Sequence, residues 1–139
     1  MRGMQAQELD REMWLRADPA SASVARAFVA QTAEDLHYDR AATGALLLAV
    51  TEAVINAVEH GAACDDGLIS VSLYLQAGYL TTEIGDCGDF QAARQATNGL
   101  DERGRGLPLM HAMMDNVEID SVPGRTVVRL VKRLPGGSP

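Results

Sequence analysis

The sequence predicts an α+β two-layer sandwich, in which a mostly antiparallel or mixed sheet carries helices on one face. Segments with the alternating apolar pattern of strands occur at both ends and in the middle of the chain. Two long segments with helical spacing lie together between the first strand and the others. Helices grouped between runs of strands are typical of this architecture. A chain of 139 residues can bury one sizeable core, so we expect a single domain over residues 1–139.

The first part of the chain predicts one strand and two helices. Residues 8–17 alternate between apolar and polar side chains, as a strand does. Turn and helix-capping residue types follow at residues 18–21, and apolar residues then recur at helical spacing over residues 22–37. A second helix is predicted from residue 39 to Gly61, because glycine takes the left-handed conformation that ends helices without steric cost.

The second part predicts four strands and a short helix. The strands cover residues 68–75, 79–85, 117–121 and 126–132, and the helix covers residues 107–114. Turns are predicted at residues 76–78 and at Pro123-Gly124. Residues 89–106 hold several glycines but little periodic apolar structure, and a loop of this length is typical of a lid or binding element. We expect the tail, residues 134–139, to be disordered.

Charge and apolar patterning restrict the partners and the compartment. The formal charge of −7 argues against nucleic acid, because phosphate binding depends on clustered Lys and Arg. The longest strongly apolar stretch, residues 45–50, is far shorter than the roughly 20 residues that span a bilayer, so we expect no membrane association. Cys64 and Cys87 form no CxxC pair, and without a secretory leader they predict reduced thiols in the cytoplasm.

Two polar residues interrupt the second predicted helix, which is otherwise apolar nearly all round. Glu52 and Asn56 lie four residues apart, with His60 four residues further on, so all three share one helix face. Burying a carboxylate and a carboxamide is costly unless something pairs with them, and no Lys or Arg occurs between Ala41 and Arg94. A bound ligand or cation would supply the partner, and a satisfied buried pair is the alternative.

Two further motifs follow in order. Asp86-Cys87-Gly88 ends a predicted strand, where an Asp-x-Gly is most often only a turn. Gly104-Arg105-Gly106-Leu107 precedes a predicted helix. A Gly-x-Gly in that place is either a flexible loop or a way to bring bare amide groups to a phosphate at the positive end of the helix dipole.

Taken together, the three motifs resemble the ATP-binding domains of the gyrase, heat-shock chaperone, histidine kinase and mismatch-repair superfamily, which share the Bergerat-type ATP-binding fold. Within it, the chain resembles the small anti-sigma-factor serine kinases. The strongest stretches are residues 51–61 and residues 104–110, continued by residues 114–119. The resemblance extends from the first helix to Arg133, nearly the whole chain.

The resemblance implies ATP and Mg²⁺ as cofactors. Glu52 matches the general base and Asn56 matches the Mg²⁺ ligand of the family. Asp86 matches the carboxylate that accepts a hydrogen bond from the adenine amino group, and Gly88 leaves space for the purine. Thr126 resembles the threonine that supports this adenine contact from a late strand.

The resemblance also covers the phosphate side of the site. Gly104 and Gly106 match the glycines that flank the phosphates, with Arg105 a possible cation near them and Leu107 beside them at the start of the helix. Arg26 on the first helix resembles an arginine used by the family at a partner interface.

The implied function is an ATP-dependent serine protein kinase and anti-sigma factor. It would sequester a sigma factor and phosphorylate an anti-anti-sigma (STAS-domain) partner on serine, as a cytoplasmic homodimer. The alternative is a non-catalytic or ATP-gated module that sequesters a partner protein, with a target that need not be a sigma factor. This alternative is motivated by Phe90, which stands where the family often has a second glycine after Asp86.

Overall fold

A computed structural model of the chain describes residues 9–61, 67–87 and 106–136. The strands are β1 (Asp10–Arg16), β2 (Leu68–Gln76), β3 (Tyr79–Asp86), β4 (Asn116–Val122) and β5 (Arg125–Arg133). The helices are α1 (Ser21–Asp35), α2 (Arg40–Gly61) and α3 (Gly106–Met113). The predicted elements occur in the predicted order, with ends that differ by one or two residues. Most of the predicted lid and the end of the predicted tail lie outside the described residues.

The five strands form one antiparallel sheet with the order β1-β2-β3-β5-β4. Each pair of neighbouring strands runs in opposite directions, so the sheet is antiparallel rather than mixed across the described part of the chain. β3 lies in the centre, and β1 and β4 lie at the two edges. With the helices packed on it, this sheet confirms the predicted α+β fold class.

The core lies between the helices and one face of the sheet. Alternate residues of the central strands point to this face and are fully buried, as are the inward residues of α1 and α2. They include Ile69, Val71, Leu73, Leu80, Ile84 and Leu130 from the sheet, and Ala25, Val29, Leu46, Val50 and Val54 from the helices. The opposite face of the sheet carries charged residues, as the alternating sequence pattern requires.

α2 is the one helix in the described ranges whose length and apolar character would suit a membrane span. Leu46, Ala49, Val50, Ala53 and Val54 of this helix are buried in the core. Packing against the sheet and the other helices therefore accounts for one side of this apolar helix, whereas Leu48 and Ile55 are exposed on it.

Short connections fix the helix pair and the central hairpin. His37, with φ of 65°, follows the end of α1, and the Asp39 Oδ1 atom accepts a hydrogen bond of 2.8 Å from the Ala42 amide at the start of α2. This side-chain acceptor satisfies one of the open amides at the beginning of a helix. Ala77 and Gly78 both take positive φ and join β2 to β3, which confirms the turn predicted there.

Candidate functional site

Glu52 and Asn56 lie one helical turn apart on α2, as the spacing predicts. Asn56 is 9% exposed and Glu52 is half-buried, while their neighbours Ala53 and Ala57 are buried in the core. Among the residues that the structure describes, neither polar side chain forms a hydrogen bond or an ion pair. The preceding Thr51 differs, because its hydroxyl donates to the Leu47 carbonyl oxygen at 2.7 Å. The polar pair therefore lies at the edge of the core, and the side-chain hydrogen-bonding groups of Glu52 and Asn56 are available to a ligand.

Asp86 and Thr126 are brought together by the sheet. Asp86 is the last residue of β3, and Thr126 lies directly opposite on β5 in the antiparallel register. Both lie on the face covered by the helices, where Asp86 is 4% and Thr126 1% exposed. The Thr126 hydroxyl also lies 3.3 Å from the hydroxyl of Ser121 on β4. The structure thus places a buried carboxylate beside hydroxyl groups at one end of the central strands.

The elements that carry the motifs pack on one another. α2 lies against β3, which ends at Asp86, and against α3, which begins at Gly106. The predicted start of this helix at Leu107 differs by one residue from the observed start, and the side chain of Leu107 is not among those described. Gly88, Gly104 and Arg105 also lie outside the described residues. The described part of the site therefore consists of the polar face of α2, the Asp86–Thr126 pair and the first residue of α3.

A comparison with protein-family models matches residues 15–132 to the histidine kinase-like ATPase domain. The match covers most of the chain and spans every element from the end of β1 to β5. The chain belongs to this family.

Curated relatives narrow the family to the anti-sigma-factor kinases. The anti-sigma F factor of Thermoanaerobacter sp. (strain X514) is 34% identical over 119 residues, which cover 79% of this chain and 83% of that protein. The serine-protein kinase RsbW of Bacillus pumilus (strain SAFR-032) is 30% identical over 131 residues, which cover 84% of this chain and 81% of that protein. This histidine kinase-like ATPase domain is thus similar in sequence to anti-sigma-factor kinases over most of its length.

Solved structures share the fold at lower identity. The RsbU and RsbW domains of Rv1364c from Mycobacterium tuberculosis match with a TM-score of 0.73 at 24% identity, covering 91% of this chain and 32% of that longer chain. The SiaB–SiaC complex from Pseudomonas aeruginosa matches with a TM-score of 0.62 at 10% identity, covering 93% of this chain and 91% of that chain. These likenesses support the ATPase fold of the domain.

Cys87 of the ATPase domain departs from the sequence expectation. Its sulfur is disulfide-bonded in the structure, so the predicted reduced thiol is wrong at this position. The expectation was based on compartment and on the lack of a CxxC pair, and sequence spacing does not report how close two sulfur atoms lie in a fold. Cys64 lies outside the described residues.

Arg26 is exposed on α1, where the resemblance implied a partner contact. The exposure leaves its side chain accessible to a second protein. Its role at an interface stays a prediction.

A polar cluster on the open face of the sheet was missed by the sequence reasoning. The Arg129 Nε atom donates to a Glu83 carboxylate oxygen at 2.9 Å, and its Nη1 atom donates to Asp120. The Tyr74 hydroxyl donates to the same Glu83 carboxylate at 2.7 Å. The hydrogen bonds to Asp120 and Glu83 raise the pKa of Arg129, whereas burial and then the Glu83 contact raise the pKa of Tyr74. Opposite charges at alternate positions of β3, β4 and β5 were the available signal.

Proposed function

We propose that this domain is an ATP- and Mg²⁺-dependent serine protein kinase that acts as an anti-sigma factor. The observation that carries the proposal is the Glu52 and Asn56 pair on α2. Both side chains lie at the border of the core, and neither has an internal partner within the described residues. Polar groups in such a position cost free energy unless a ligand satisfies them. A nucleotide with its metal ion supplies ligands of the required chemistry.

The donor set fits Mg²⁺ and adenine. The carboxamide oxygen of Asn56 is a hard, neutral donor of the kind that binds Mg²⁺ alongside phosphate oxygens and water. When bound there, the ion would neutralise charge on the phosphates. The buried carboxylate of Asp86 would accept a hydrogen bond from the adenine amino group, and Thr126, opposite it in the register, would support that contact. Gly106 begins α3, and amides at a helix start favour negative charge.

Glu52 would act as the general base. In the proposed reaction, the serine oxygen of a partner protein bonds to the γ-phosphorus, the bond from that phosphorus to the bridging oxygen breaks, and ADP leaves. Glu52 takes the proton that the serine hydroxyl gives up. Its half-buried position on α2, one turn from Asn56, keeps the carboxylate close to the proposed phosphate site and within reach of solvent.

The partners proposed for this kinase are two proteins. One is a sigma factor, which the domain would sequester from RNA polymerase, and the other is an anti-anti-sigma (STAS-domain) protein, which it would phosphorylate on serine. The name of the anti-sigma F factor relative supports the sigma factor as a partner, and the name of the serine-protein kinase relative supports phosphorylation of a protein on serine. We further propose that the domain acts in the cytoplasm as a homodimer, with Arg26 at a partner interface.

Ligand-dependent stability tests nucleotide binding first. A ligand that binds only the native state stabilises it by about 2.7 kcal/mol at a concentration of 100 times Kd. We expect the thermal midpoint of the protein to rise with Mg²⁺-ATP and to rise less with ATP and a chelator. An unchanged midpoint at millimolar Mg²⁺-ATP would contradict the proposal.

Transfer of γ-³²P from labelled ATP tests the reaction itself. The acceptor is a purified STAS-domain anti-anti-sigma protein encoded in the same genome, and the control is that protein with its acceptor serine changed to alanine. We expect label on the first protein and none on the second. Label on both would show that serine is not the acceptor.

A second candidate function is a protein-sequestering module without catalysis. Phe90 favours it, because the family often has a glycine at this position and a bulky side chain there is expected to weaken nucleotide binding. The same labelling experiment separates the two functions when it is combined with co-purification. Stable association with the partner and no transfer of label would favour the binding module. Mass spectrometry of captured partners would then determine whether the target is a sigma factor.

A further inference from the structure

Lys132 lies on the helix-covered face of the sheet, at the end away from Asp86. On β3, Leu80 pairs with Lys132 and Asp86 pairs with Thr126. Residues 80 and 86 are six positions apart on one strand, which corresponds to about 20 Å. Lys132 is therefore remote from the proposed adenine contact and cannot touch adenine itself.

Two hydrogen bonds connect Lys132 to the end of one helix and to the segment that precedes another. Its Nζ atom donates to the carbonyl oxygen of Met113, the last residue of α3, at 3.1 Å. Its own carbonyl oxygen accepts a bond from the Tyr38 hydroxyl at 3.0 Å. Tyr38 lies two residues before Arg40, where α2 begins. One residue of β5 thus contacts the end of α3 and the approach to α2.

The end of α3 is held to β5 by further bonds close to Lys132. The amide of Asp115 donates to the Val131 carbonyl oxygen at 2.9 Å, and the amide of Arg133 donates to the Asp115 carboxylate at 2.6 Å. The Lys132 ammonium lies at the carbonyl end of the helix, where a cation is favourable. Met110 of the same helix is fully buried in the core. These contacts hold the end of α3. Because the helix has only eight residues, a displacement of its end would also displace its start.

The Tyr38 contact holds the approach to α2 in the same way. Tyr38 is 9% exposed, and burial raises the pKa of its hydroxyl, so the hydroxyl keeps the proton that it donates. The next residue, Asp39, accepts the hydrogen bond from the Ala42 amide. From Arg40 to Asn56 the helix rises by about 24 Å. A shift of the anchored end would therefore be transmitted to Asn56.

We propose that Lys132 is a positioning residue for the nucleotide phosphates. Its ammonium holds the end of α3, which begins at Gly106. Its backbone carbonyl, which any residue would supply, holds the approach to α2, which carries Asn56, at the same point of β5. The two helices pack against each other, so this shared anchor sets the distance between the phosphate-facing helix start and the metal ligand. The inference rests on the proposed ATP-binding function. It assigns no contact between Lys132 and the nucleotide.

The test compares a ligand that has phosphates with one that has none. The variant Lys132→Met keeps the aliphatic stem and removes the ammonium group. Isothermal titration calorimetry would measure Kd for Mg²⁺-ATP and for adenosine. We expect a loss of about tenfold in Mg²⁺-ATP affinity, because a small misplacement of positioned groups is costly, and an unchanged adenosine affinity. Lys132→Arg should recover most of the Mg²⁺-ATP affinity.

Arg133→Met is the matched control. It removes one positive charge from the neighbouring residue, whose guanidinium lies 6.0 Å from the centre of the Tyr79 ring. Its backbone bond to Asp115 is retained. We expect both affinities to match those of the wild type. Circular dichroism would establish that each variant is folded. If Lys132→Met does not fold, Lys132→Gln, which removes the charge and keeps a polar side chain, carries the same comparison.

Three results would overturn the inference. Wild-type affinity of Lys132→Met for both ligands would remove the positioning role while leaving the proposed function intact. A parallel loss of both affinities would show that Lys132 acts on general stability. Failure of the wild-type protein to bind Mg²⁺-ATP would instead remove the proposed function, and the positioning role with it.

Discussion

The polar face of α2 and the open face of the sheet both contain partly buried polar side chains, but they differ in whether the hydrogen-bonding groups of those side chains are satisfied. On the sheet, Arg129, Glu83 and Tyr74 bond to one another, and the side chains of Arg129 and Glu83 are each 28% exposed. On α2, Glu52 is half-buried and Asn56 is 9% exposed, but neither has a bonding partner within the described residues. A cluster whose hydrogen-bonding groups are satisfied by one another stabilises the fold. A pair whose hydrogen-bonding groups have no internal partner is suited to bind a ligand.

This contrast predicts that changes in the two regions affect different measurements. Substitutions on α2 should reduce ligand binding or catalysis with little effect on folding. Substitutions in the open-face cluster should reduce stability with little effect on ligand affinity.

Glu52→Gln should reduce phosphotransfer to the partner protein by about 10²–10⁴-fold, because this is the usual contribution of a general base. The amide is close in size to the carboxylate, so we expect the thermal midpoint to stay near that of the wild type. The rate of γ-³²P transfer at saturating ATP measures the effect. Glu34→Gln, which changes an exposed carboxylate on α1, is the control. Full activity of Glu52→Gln would exclude the assigned role.

Asn56→Ala should abolish the Mg²⁺-dependent part of ATP binding. Removing a group that only orients a metal ligand commonly costs about 10–100-fold in metal affinity, and loss of the ligand itself should cost more. Calorimetry with ATP, in the presence and absence of Mg²⁺, measures the difference. Asn116→Ala is a matched control, because Asn116 is exposed on β4 and already bonds to Glu118 at 3.2 Å. An equal Mg²⁺ effect in Asn56→Ala and the wild type would contradict the metal site.

Arg129→Met should lower the free energy of unfolding by about 1–2 kcal/mol, since it breaks a charged network and leaves the Glu83 carboxylate without its cation. Chemical denaturation measures this value. The affinity for Mg²⁺-ATP should not change, because Arg129 lies on the face of the sheet away from the helices. If Arg129→Met lowered the affinity for Mg²⁺-ATP and left the free energy of unfolding unchanged, the open face of the sheet would contribute to ligand binding and not to stability.

Local patterns allowed the elements to be predicted, but long-range pairing did not follow from them. The alternation in β2 and the glycine at the end of α2 depend on neighbouring residues, so their bounds were correct within one or two residues. The facing of Asp86 and Thr126 depends on the register of β3 and β5, across roughly forty residues of chain. The resemblance to a family implied that pair, and periodicity alone did not.

The contacts that connect layers were beyond sequence reasoning. Lys132 ends an alternating strand, and nothing in that pattern predicts that its ammonium bonds to the end of α3. The disulfide of Cys87 was likewise contrary to an expectation drawn from compartment and from the lack of a CxxC pair. The Lys132 contact and the disulfide both depend on which segments lie close together in the folded chain, and local sequence patterns do not determine that proximity.

Thr82→Val gives the smallest expected effect and sharpens the comparison most. Thr82 is fully buried between Leu73 and Leu130 in the sheet, and its hydroxyl has no hydrogen-bond partner in the described part of the chain. A buried polar group without a hydrogen-bond partner is thus not always part of a ligand site. Its surroundings determine whether a ligand can reach it. Thr82 lies among apolar core residues, so replacing its hydroxyl by a methyl group should raise the free energy of unfolding by about 1 kcal/mol. Denaturation of the unliganded protein measures this gain, with Thr81→Val on the opposite face of β3 as the control. If Thr82→Val instead weakened Mg²⁺-ATP binding, Thr82 would join Asn56 as part of the site, and the site would extend into the core beneath α2.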